Sequence, residues 1–257
     1  MNKKIQDYPH LERLTIEGYD FRFSNYLSKG MDIFKEDIGG FVSFTFVMIA
    51  ILCMAGFVPM GTTLLSPALT AGFAIVSYNI VRKQHHEFNE FFKGFDHFIQ
   101  LFLVSLISGL IIAAMFMPFI IGSITFFAAN DFFTYGSTPD FGDFPKTAFW
   151  LGMLVIAPVV YLAVSWSWAP FFVIFYKMQF WDAMESSRKI LTKNWWIFFI
   201  FVIVTGIIAG AGILGFGVGL LFTVPLVACM NYAAFAEVVG LHNENGERSY
   251  IEDHLVE

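Results

Sequence analysis

The spacing of charged residues is the feature of this sequence that most restricts its fold. Four long stretches contain no Asp, Glu, Lys or Arg: residues 38–81, 97–130, 147–176 and 194–236, which are 44, 34, 30 and 43 residues long. A helix of about 20 apolar residues crosses the roughly 30 Å hydrocarbon core of a bilayer. By length, the four stretches hold two, one, one and two such helices. The sequence therefore predicts an all-α, polytopic transmembrane helical bundle with about six spans.

Proline and glycine predict where the two longest stretches break. These residues interrupt helices and permit tight turns, and they occur at Pro59 and Gly61 and again at Gly215, Gly217 and Gly219. The predicted spans are residues 38–59, 62–82, 98–125, 148–176, 195–215 and 218–240. The predicted organisation is an N-terminal segment with an amphipathic helix, a six-span membrane domain and an acidic tail, at residues 1–37, 38–240 and 241–257.

Composition agrees with a membrane protein and excludes several other classes. Hydrophobic residues make up 57% of the chain and charged residues 14%, against about 25% charged residues in soluble domains. The net charge of -6 provides no basic surface of the kind that binds nucleic acid. A soluble enzyme, a disordered chain and a nucleic-acid-binding protein are excluded, and membrane lipids are the expected partners.

Lys and Arg lie almost entirely on one side of the predicted spans. Fourteen of the 15 basic residues precede the first span, lie between spans two and three or four and five, or follow the sixth; the exception is Lys146. Loops on the cytoplasmic side are enriched in Lys and Arg. The distribution predicts a multi-pass protein of the plasma (inner) membrane with the N- and C-termini in the cytoplasm.

The chain contains a two-span pattern that recurs. A shift of 158 positions pairs residues of the first and last hairpins, Gly61 with Gly219 and Pro67 with Pro225. A shift of 64 pairs the same Lys-Gly-x-Asp-x-Phe string at residues 29–34 and 93–98. The pattern predicts three units, each with a basic segment, a span, an outer turn and a second span. Units of two spans share one orientation, so a repeat axis would run along the membrane normal.

Each unit begins with a segment whose apolar residues recur at helical spacing. They are Phe23, Tyr26, Leu27, Met31 and Phe34 in the first segment, Phe88, Phe91, Phe92, Phe95 and Phe98 in the second, and Trp181, Met184, Leu191 and Trp195 in the third. Steps of three and four place such residues on one helix face. These helices either lie in the headgroup plane with basic residues facing anionic lipid or extend the following span. The sequence leaves both alternatives open.

No ionisable residue is predicted at the middle of the membrane, where such groups mark ion or proton paths. Glu237 is the only acid within a predicted span and lies near the cytoplasmic end of the sixth. We therefore predict no catalytic, cofactor-binding or metal-binding residues and no enzymatic activity. His86, Glu90 and His97 form one metal-like set, because an α-helix would place them on one face and imidazole with carboxylate suits zinc. A solvated helix face is the favoured interpretation of this set.

Two features could support contact with another protein. The outer loop, residues 128–146, holds Asp131, Asp140 and Asp143 among aromatic residues. Such aromatics form either an interfacial belt, which is favoured, or a lid or docking site. Small residues four apart, such as Gly206 and Gly210, allow helices to pack closely. Their contact would be within the chain or, as the alternative, in a homo-oligomer.

Several strings resemble a known family. They are the run from Ser186 to Trp196, the Gly-rich break before Gly219, Pro225, Asn231-Tyr232-Ala233-Ala234-Phe235 and Phe92-Lys93-Gly94-Phe95. These are similar to an uncharacterised bacterial six-helix inner-membrane protein family, related to the membrane domain fused to some glycerophosphodiester phosphodiesterases. The resemblance covers most of residues 25–240 and implies a helical bundle without established catalytic residues. It does not imply phosphodiesterase activity, because these 257 residues contain no such domain.

Three functions are compatible with the sequence. The favoured one is a non-enzymatic membrane protein that organises lipids or partner proteins through basic helices on the cytoplasmic face. The alternative is a transporter or permeability factor for a small or amphipathic molecule, since prolines within spans free backbone groups that can line a cavity. The third is a membrane enzyme that works through His86, Glu90 and His97.

Overall fold

A computed structural model describes residues 4–129, 146–215 and 217–242, and all regular structure in these ranges is helical. The α-helices are α1 (Pro9–Glu17), α2 (Phe23–Glu36), α3 (Ile38–Ala55), α4 (Gly61–Val81), α5 (Phe98–Ala129), α6 (Lys146–Ser165), α7 (Ala169–Tyr176), α8 (Phe180–Lys193), α9 (Trp195–Leu214) and α10 (Leu220–Val238). A 3-10 turn at Ile5–Asp7 precedes α1, and a ten-residue 3-10 helix, Phe88–His97, precedes α5. The predicted all-α class is confirmed.

Six segments are long and apolar enough to cross a membrane: Ile38–Ala55, Gly61–Val81, Phe88–Phe126, Gly152–Tyr176, Trp195–Leu214 and Leu220–Val238. They match the six predicted spans closely, except that the third begins earlier because it includes the 3-10 helix. The predicted breaks also occur, since α3 ends at Ala55 and α9 at Leu214. Gly217 has a φ of 81° in the second break, a conformation that glycine adopts readily. The chain is an integral membrane protein.

The chain divides into two compact units. The second unit is Leu106–Val164, which contains most of α5 and α6. Within it, Gly152 of α6 lies against the ring of Phe119 of α5. The first unit is Met1–Ser105 with Ser165–Glu257 and holds the remaining helices. Most of the outer loop, residues 130–145, and the acidic tail from residue 243 onward lie outside the described residues.

In the first unit, the three basic segments singled out by periodicity each pack against a span. Helix α2 packs on α10, the 3-10 helix on α4, and α8 on α7. Two of them are not continuous with the span that follows. Asp37 separates α2 from α3 and caps α3 by accepting a hydrogen bond from the Gly40 N–H at 2.9 Å, and Asn194 separates α8 from α9. These two segments are therefore distinct helices rather than extensions of the following span.

Close backbone contact explains how the second segment, the 3-10 helix, packs on α4. Its helix is of the 3-10 type, in which residues i and i+3 stack, so Phe91 and Gly94 face α4 together and are buried. A Cβ atom added at Gly72 would overlap the backbone oxygen of Phe91, and one added at Gly94 would overlap that of Ala68. The buried face therefore differs from the predicted α-helical face, and Phe95 is 36% exposed.

An aromatic cluster holds the 3-10 helix on α3 and α4. The ring of Phe91 stacks on Phe44 at a centroid distance of 4.5 Å and meets Phe41 edge-on at 5.5 Å. Phe73 contacts Phe44 at 5.1 Å. Aromatic pairs in these geometries stabilise a core beyond the area they bury. The 3-10 helix is thus part of the core of the first unit.

Candidate functional site

The structure separates the three residues of the predicted metal-like set. His86 lies in extended chain before the 3-10 helix, with Nε2 3.2 Å from Asp37 Oδ2. Glu90 instead accepts a hydrogen bond from the Asn79 amide. Nowhere in the described part of the chain do three His, Cys, Asp or Glu side chains meet in a metal-binding arrangement. The α-helical register on which the zinc alternative depended is absent, so this geometry gives the alternative no support.

Two adjoining cavities lie at the end of the first unit where α4 and α10 end. The first has a volume of about 400 Å³ and the second of about 700 Å³. Asp32, Ile33 and Val81 line both cavities, and we call the two together the cleft. Volumes of about 300–1,000 Å³ are typical of small-molecule sites. The cleft is therefore the candidate functional site.

The first cavity combines apolar walls with a polar rim. Its walls include the side chains of Ile33, Val81, Ala233 and Ala236. The polar side chains that line it come from α2, α10 and the turn after α10, and they are Lys29, Asp32, Tyr232, Glu237 and His242. A cavity divided in this way suits a molecule with an apolar body and a polar head.

Glu237 joins the end of α10 to α2. The Asn25 amide donates to both carboxylate oxygens, at 2.9 and 2.8 Å, and Lys29 Nζ lies 2.6 Å from Glu237 Oε2. The Glu237 side chain is 24% exposed, and that of Lys29 is 53% exposed. The carboxylate is thus neutralised by a partner that itself reaches the solvent.

The same chemistry recurs between the 3-10 helix and α4. Glu90 accepts hydrogen bonds from the Asn79 amide and, at 3.1 Å, from Lys93 Nζ. In both places one amide and one lysine satisfy one carboxylate. The shift of 158 aligns Asn79 with Glu237, and the shift of 64 aligns Lys29 with Lys93. At the first site the amide (Asn25) lies on the basic segment and the acid (Glu237) on the span. At the second site the acid (Glu90) lies on the basic segment and the amide (Asn79) on the span.

His242 follows α10 and lines the first cavity. Its Nε2 lies 3.0 Å from the Tyr232 hydroxyl, and its ring stacks on Tyr78 at a centroid distance of 5.7 Å. Burial, with the nearby charges of Arg82 and Lys29, lowers the pKa of His242 to about 4. The imidazole is therefore neutral at neutral pH. Its buried Nδ1 has no hydrogen-bond partner among the residues described.

Asp32 is a carboxylate without a partner in the cleft. It lies one helical turn after Lys29 on α2, is exposed, and lines both cavities. No side chain in the described ranges forms a hydrogen bond or ion pair with it. Its charge is therefore not balanced within the cleft, in contrast to that of Glu237.

Acidification from pH 6.5 to pH 4 is expected to destabilise the protein through His242. Histidine titrates near pH 6.5 in an unfolded chain, whereas the fold keeps His242 neutral to about pH 4. The stability from this depressed pKa is complete above pH 6.5 and is lost as the pH falls towards 4. The loss is about 2–3 kcal/mol after allowance for partial exposure.

Thermal unfolding of the wild type and of His242→Gln across this pH range checks the prediction. Glutamine can still bond to Tyr232 but does not titrate. The wild type should lose more stability than the variant as the pH falls. Equal pH slopes for the two proteins would exclude the titration of His242 as the cause.

Sequence reasoning found only part of the cleft. It placed Glu237 near the end of the sixth span but gave no role to Asn25, Lys29, Asp32 or His242. The first and last parts of the chain form the cleft together, and no motif marks that pairing. The alignment of Lys29 with Lys93 was a sequence signal that linked Lys29 to a second basic segment.

Comparison with known proteins found no matching family model, curated protein or solved structure. The resemblance to the six-helix inner-membrane family therefore stays a prediction. The fold class and the geometry of the cleft rest on the structure itself.

Proposed function

We propose that this protein organises membrane lipids by holding the polar end of an amphipathic molecule in the cleft, without catalysing a reaction. The observation that carries the proposal is the division of the first cavity into apolar walls, at Ala233 and Ala236, and a polar rim, at Lys29, Asp32 and His242. A lipid matches both parts. Sites for small molecules commonly pair apolar walls with a few polar groups that fix orientation.

The proposal places the cleft on the cytoplasmic side of the membrane. Lys29 and Lys83 line it, and Arg82 directly follows the last residue of α4. Enrichment of Lys and Arg in cytoplasmic loops supports this orientation. A phosphatase that is active only outside the cytoplasm should remain inactive when it is fused after the last residue.

The ion pairs on α8 make its basic residues a weaker basis for lipid binding than the cleft. Arg188 Nη2 lies 2.8 Å from Glu185 Oε1, and Lys189 Nζ lies 3.5 Å from the same atom. The hydrogen bond from Arg188 lowers the pKa of Glu185, so this acid stays ionised and offsets one of the two positive charges. Attraction of anionic headgroups depends on unbalanced Lys and Arg near the membrane surface. The cleft therefore carries the proposal.

We also infer an internal repeat of three two-span units. Each basic segment packs on the span that ends the preceding unit: the 3-10 helix on α4, α8 on α7, and α2 on α10. The last of these contacts joins the basic segment of the first unit to the final span of the third unit. The paired triads of Asn, Glu and Lys at two of the interfaces support the same inference. Equivalent interfaces of this kind arise when one unit has been duplicated.

Val81→Trp is expected to reduce the lipid that the protein retains. Val81 lies at the end of α4, lines both cavities and is 39% exposed, so an indole ring there would fill the mouth of the cleft without entering the core. Native mass spectrometry of protein released from nanodiscs measures the retained lipid. We expect about a tenfold smaller retained fraction, equivalent to about 1.4 kcal/mol of binding free energy.

Ile203→Trp is the matched control. Ile203 is 44% exposed on α9 and is not among the residues that line the cleft. This variant should retain as much lipid as the wild type. Equal retention by the wild type and both variants would show that the cleft does not hold the lipid.

Transport of an amphipathic molecule is the second candidate function, and a break in the fourth span favours it. Helix α6 ends at Ser165 and α7 begins at Ala169, and discontinuous helices form the substrate sites of many transporters. Liposomes with a fluorescent lipid in one leaflet separate the two functions. Protein-dependent movement of the lipid to the other leaflet would favour transport, whereas retention without such movement favours lipid organisation.

A further inference from the structure

One charged side chain that lines the first cavity has no partner of opposite sign among the described residues. Lys29 and Glu237 form a closed pair at 2.6 Å. His242 is neutral, because burial lowers its pKa to about 4. Asp32 remains as the one unbalanced charge among the polar side chains that line this cavity. A ligand that enters the cavity therefore meets an unpaired carboxylate beside apolar walls, with the positive charges of Arg82 and Lys29 acting on the His242 side.

The second cavity continues this site without neutralising it. Its charged lining residues besides Asp32 are Glu36 and Lys83, one of each sign. His86 is turned towards Asp37, with Nε2 3.2 Å from Oδ2. Asp32 lies where the two cavities meet, so its carboxylate is accessible from both.

Resting on the proposed function, we infer that the cleft selects molecules whose polar head carries a protonated amine, with Asp32 as the residue that binds it. A protonated amine pairs with this free carboxylate and donates N–H groups to it. Hydrogen bonds between two charged groups are about twice as strong as neutral ones. The walls at Ile33, Ala233 and Ala236 accommodate the apolar body of the same molecule.

Two sources could supply such a molecule: the amine head of a membrane phospholipid and a soluble amphipathic amine. A quaternary ammonium has the charge but no N–H group, so it should bind less well than a protonated amine. An anionic head without an amine should be disfavoured by Asp32. The selection is thus a preference for phosphatidylethanolamine over phosphatidylcholine and phosphatidylglycerol, or for a free alkylamine.

The test uses the full chain in nanodiscs that contain equal amounts of these three phospholipids. Native mass spectrometry reads which lipid leaves with the protein. The wild type should retain phosphatidylethanolamine enriched about fivefold or more over the bulk mixture, which corresponds to about 1 kcal/mol of selectivity. Asp32→Asn should retain lipid at the bulk ratio, because the amide keeps the shape of the side chain but not its charge.

Asp96→Asn is the matched control. Asp96 occupies the same position in the second Lys-Gly-x-Asp-x-Phe string, is exposed like Asp32, and is not a lining residue of either cavity. It should keep the wild-type enrichment. An unchanged thermal midpoint in detergent shows that both variants are folded.

A second arm measures the thermal midpoint in detergent with and without decylamine. Stabilisation of the wild type and Asp96→Asn but not of Asp32→Asn, without enrichment of any lipid, would support the amine site with a soluble ligand. Retained lipid at the bulk ratio and no effect of decylamine would overturn this inference and leave the proposed function standing. No retained lipid and no effect of decylamine would overturn both.

Discussion

Substitution of Gly72 by alanine is expected to lower the free energy of unfolding by about 3 kcal/mol or more. The added Cβ atom would overlap the backbone oxygen of Phe91. A backbone atom cannot rotate away as a side chain can, so the 3-10 helix would have to move off α4. That movement would also disturb the stacked pair of Phe44 and Phe91 and the hydrogen bond between Asn79 and Glu90.

Gly206→Ala is the control for this prediction. Gly206 lies within α9, and no atom lies within 4 Å of the position of an added Cβ. Alanine has a higher helix propensity than glycine, so this variant should unfold at the same temperature as the wild type or slightly above it. Thermal unfolding in one detergent compares the three proteins. Equal midpoints for Gly72→Ala and Gly206→Ala would contradict the close contact.

The spans were predictable because the thickness of the hydrocarbon core sets a length of uncharged chain. That relation needs no tertiary contact, and the structure has Trp195–Leu214 where residues 195–215 were predicted. The turns were also predictable, since Pro59 and Gly217 disfavour helix locally. Both signals are contained in short windows of sequence, so they do not depend on tertiary contacts with the rest of the chain.

The 3-10 helix was not predictable from periodicity. Phenylalanines at steps of three and four, such as Phe88, Phe91 and Phe95, fit an α-helix as well as a 3-10 helix. The choice depends on Gly72 and Gly94, which allow the backbones of α4 and of the 3-10 helix to come into direct contact. A tertiary contact therefore decides the helix type, and the predicted α-helical alignment of His86, Glu90 and His97 fails with it.

The cleft was not predictable for a related reason. Lys29 and Asp32 on α2 meet Glu237 and His242 only because α2 packs on α10. The six predicted spans indicate that α2 and the end of α10 lie near the same membrane surface, but they do not predict which helices are neighbours. The repeat that we infer would supply part of that information, because it would make the contact of α2 with α10 equivalent to that of the 3-10 helix with α4.

A buried hydroxyl bridges the two sides of the break in the fourth span, and Ser187→Ala is expected to cost about 2–4 kcal/mol of unfolding free energy. Ser187 Oγ accepts a hydrogen bond from the Trp168 N–H at 3.2 Å and donates one to the Ser165 carbonyl at 2.7 Å. Ser165 is the last residue of α6 and Trp168 lies just before α7, so the two backbone groups flank the point where the helical ladder is interrupted. Alanine would leave a buried donor and a buried acceptor without partners.

Thr192→Ala on the same helix isolates this effect. Thr192 is exposed, and its hydroxyl donates to the Arg188 carbonyl within α8, so its loss should cost less than about 0.5 kcal/mol. Hydrogen exchange adds a local measurement, because the Trp168 amide should exchange faster in Ser187→Ala than in Thr192→Ala. Similar unfolding midpoints and similar Trp168 exchange in the two variants would mean that other groups satisfy the break. The expected difference would instead establish that Ser187 of α8 stabilises the interruption between α6 and α7.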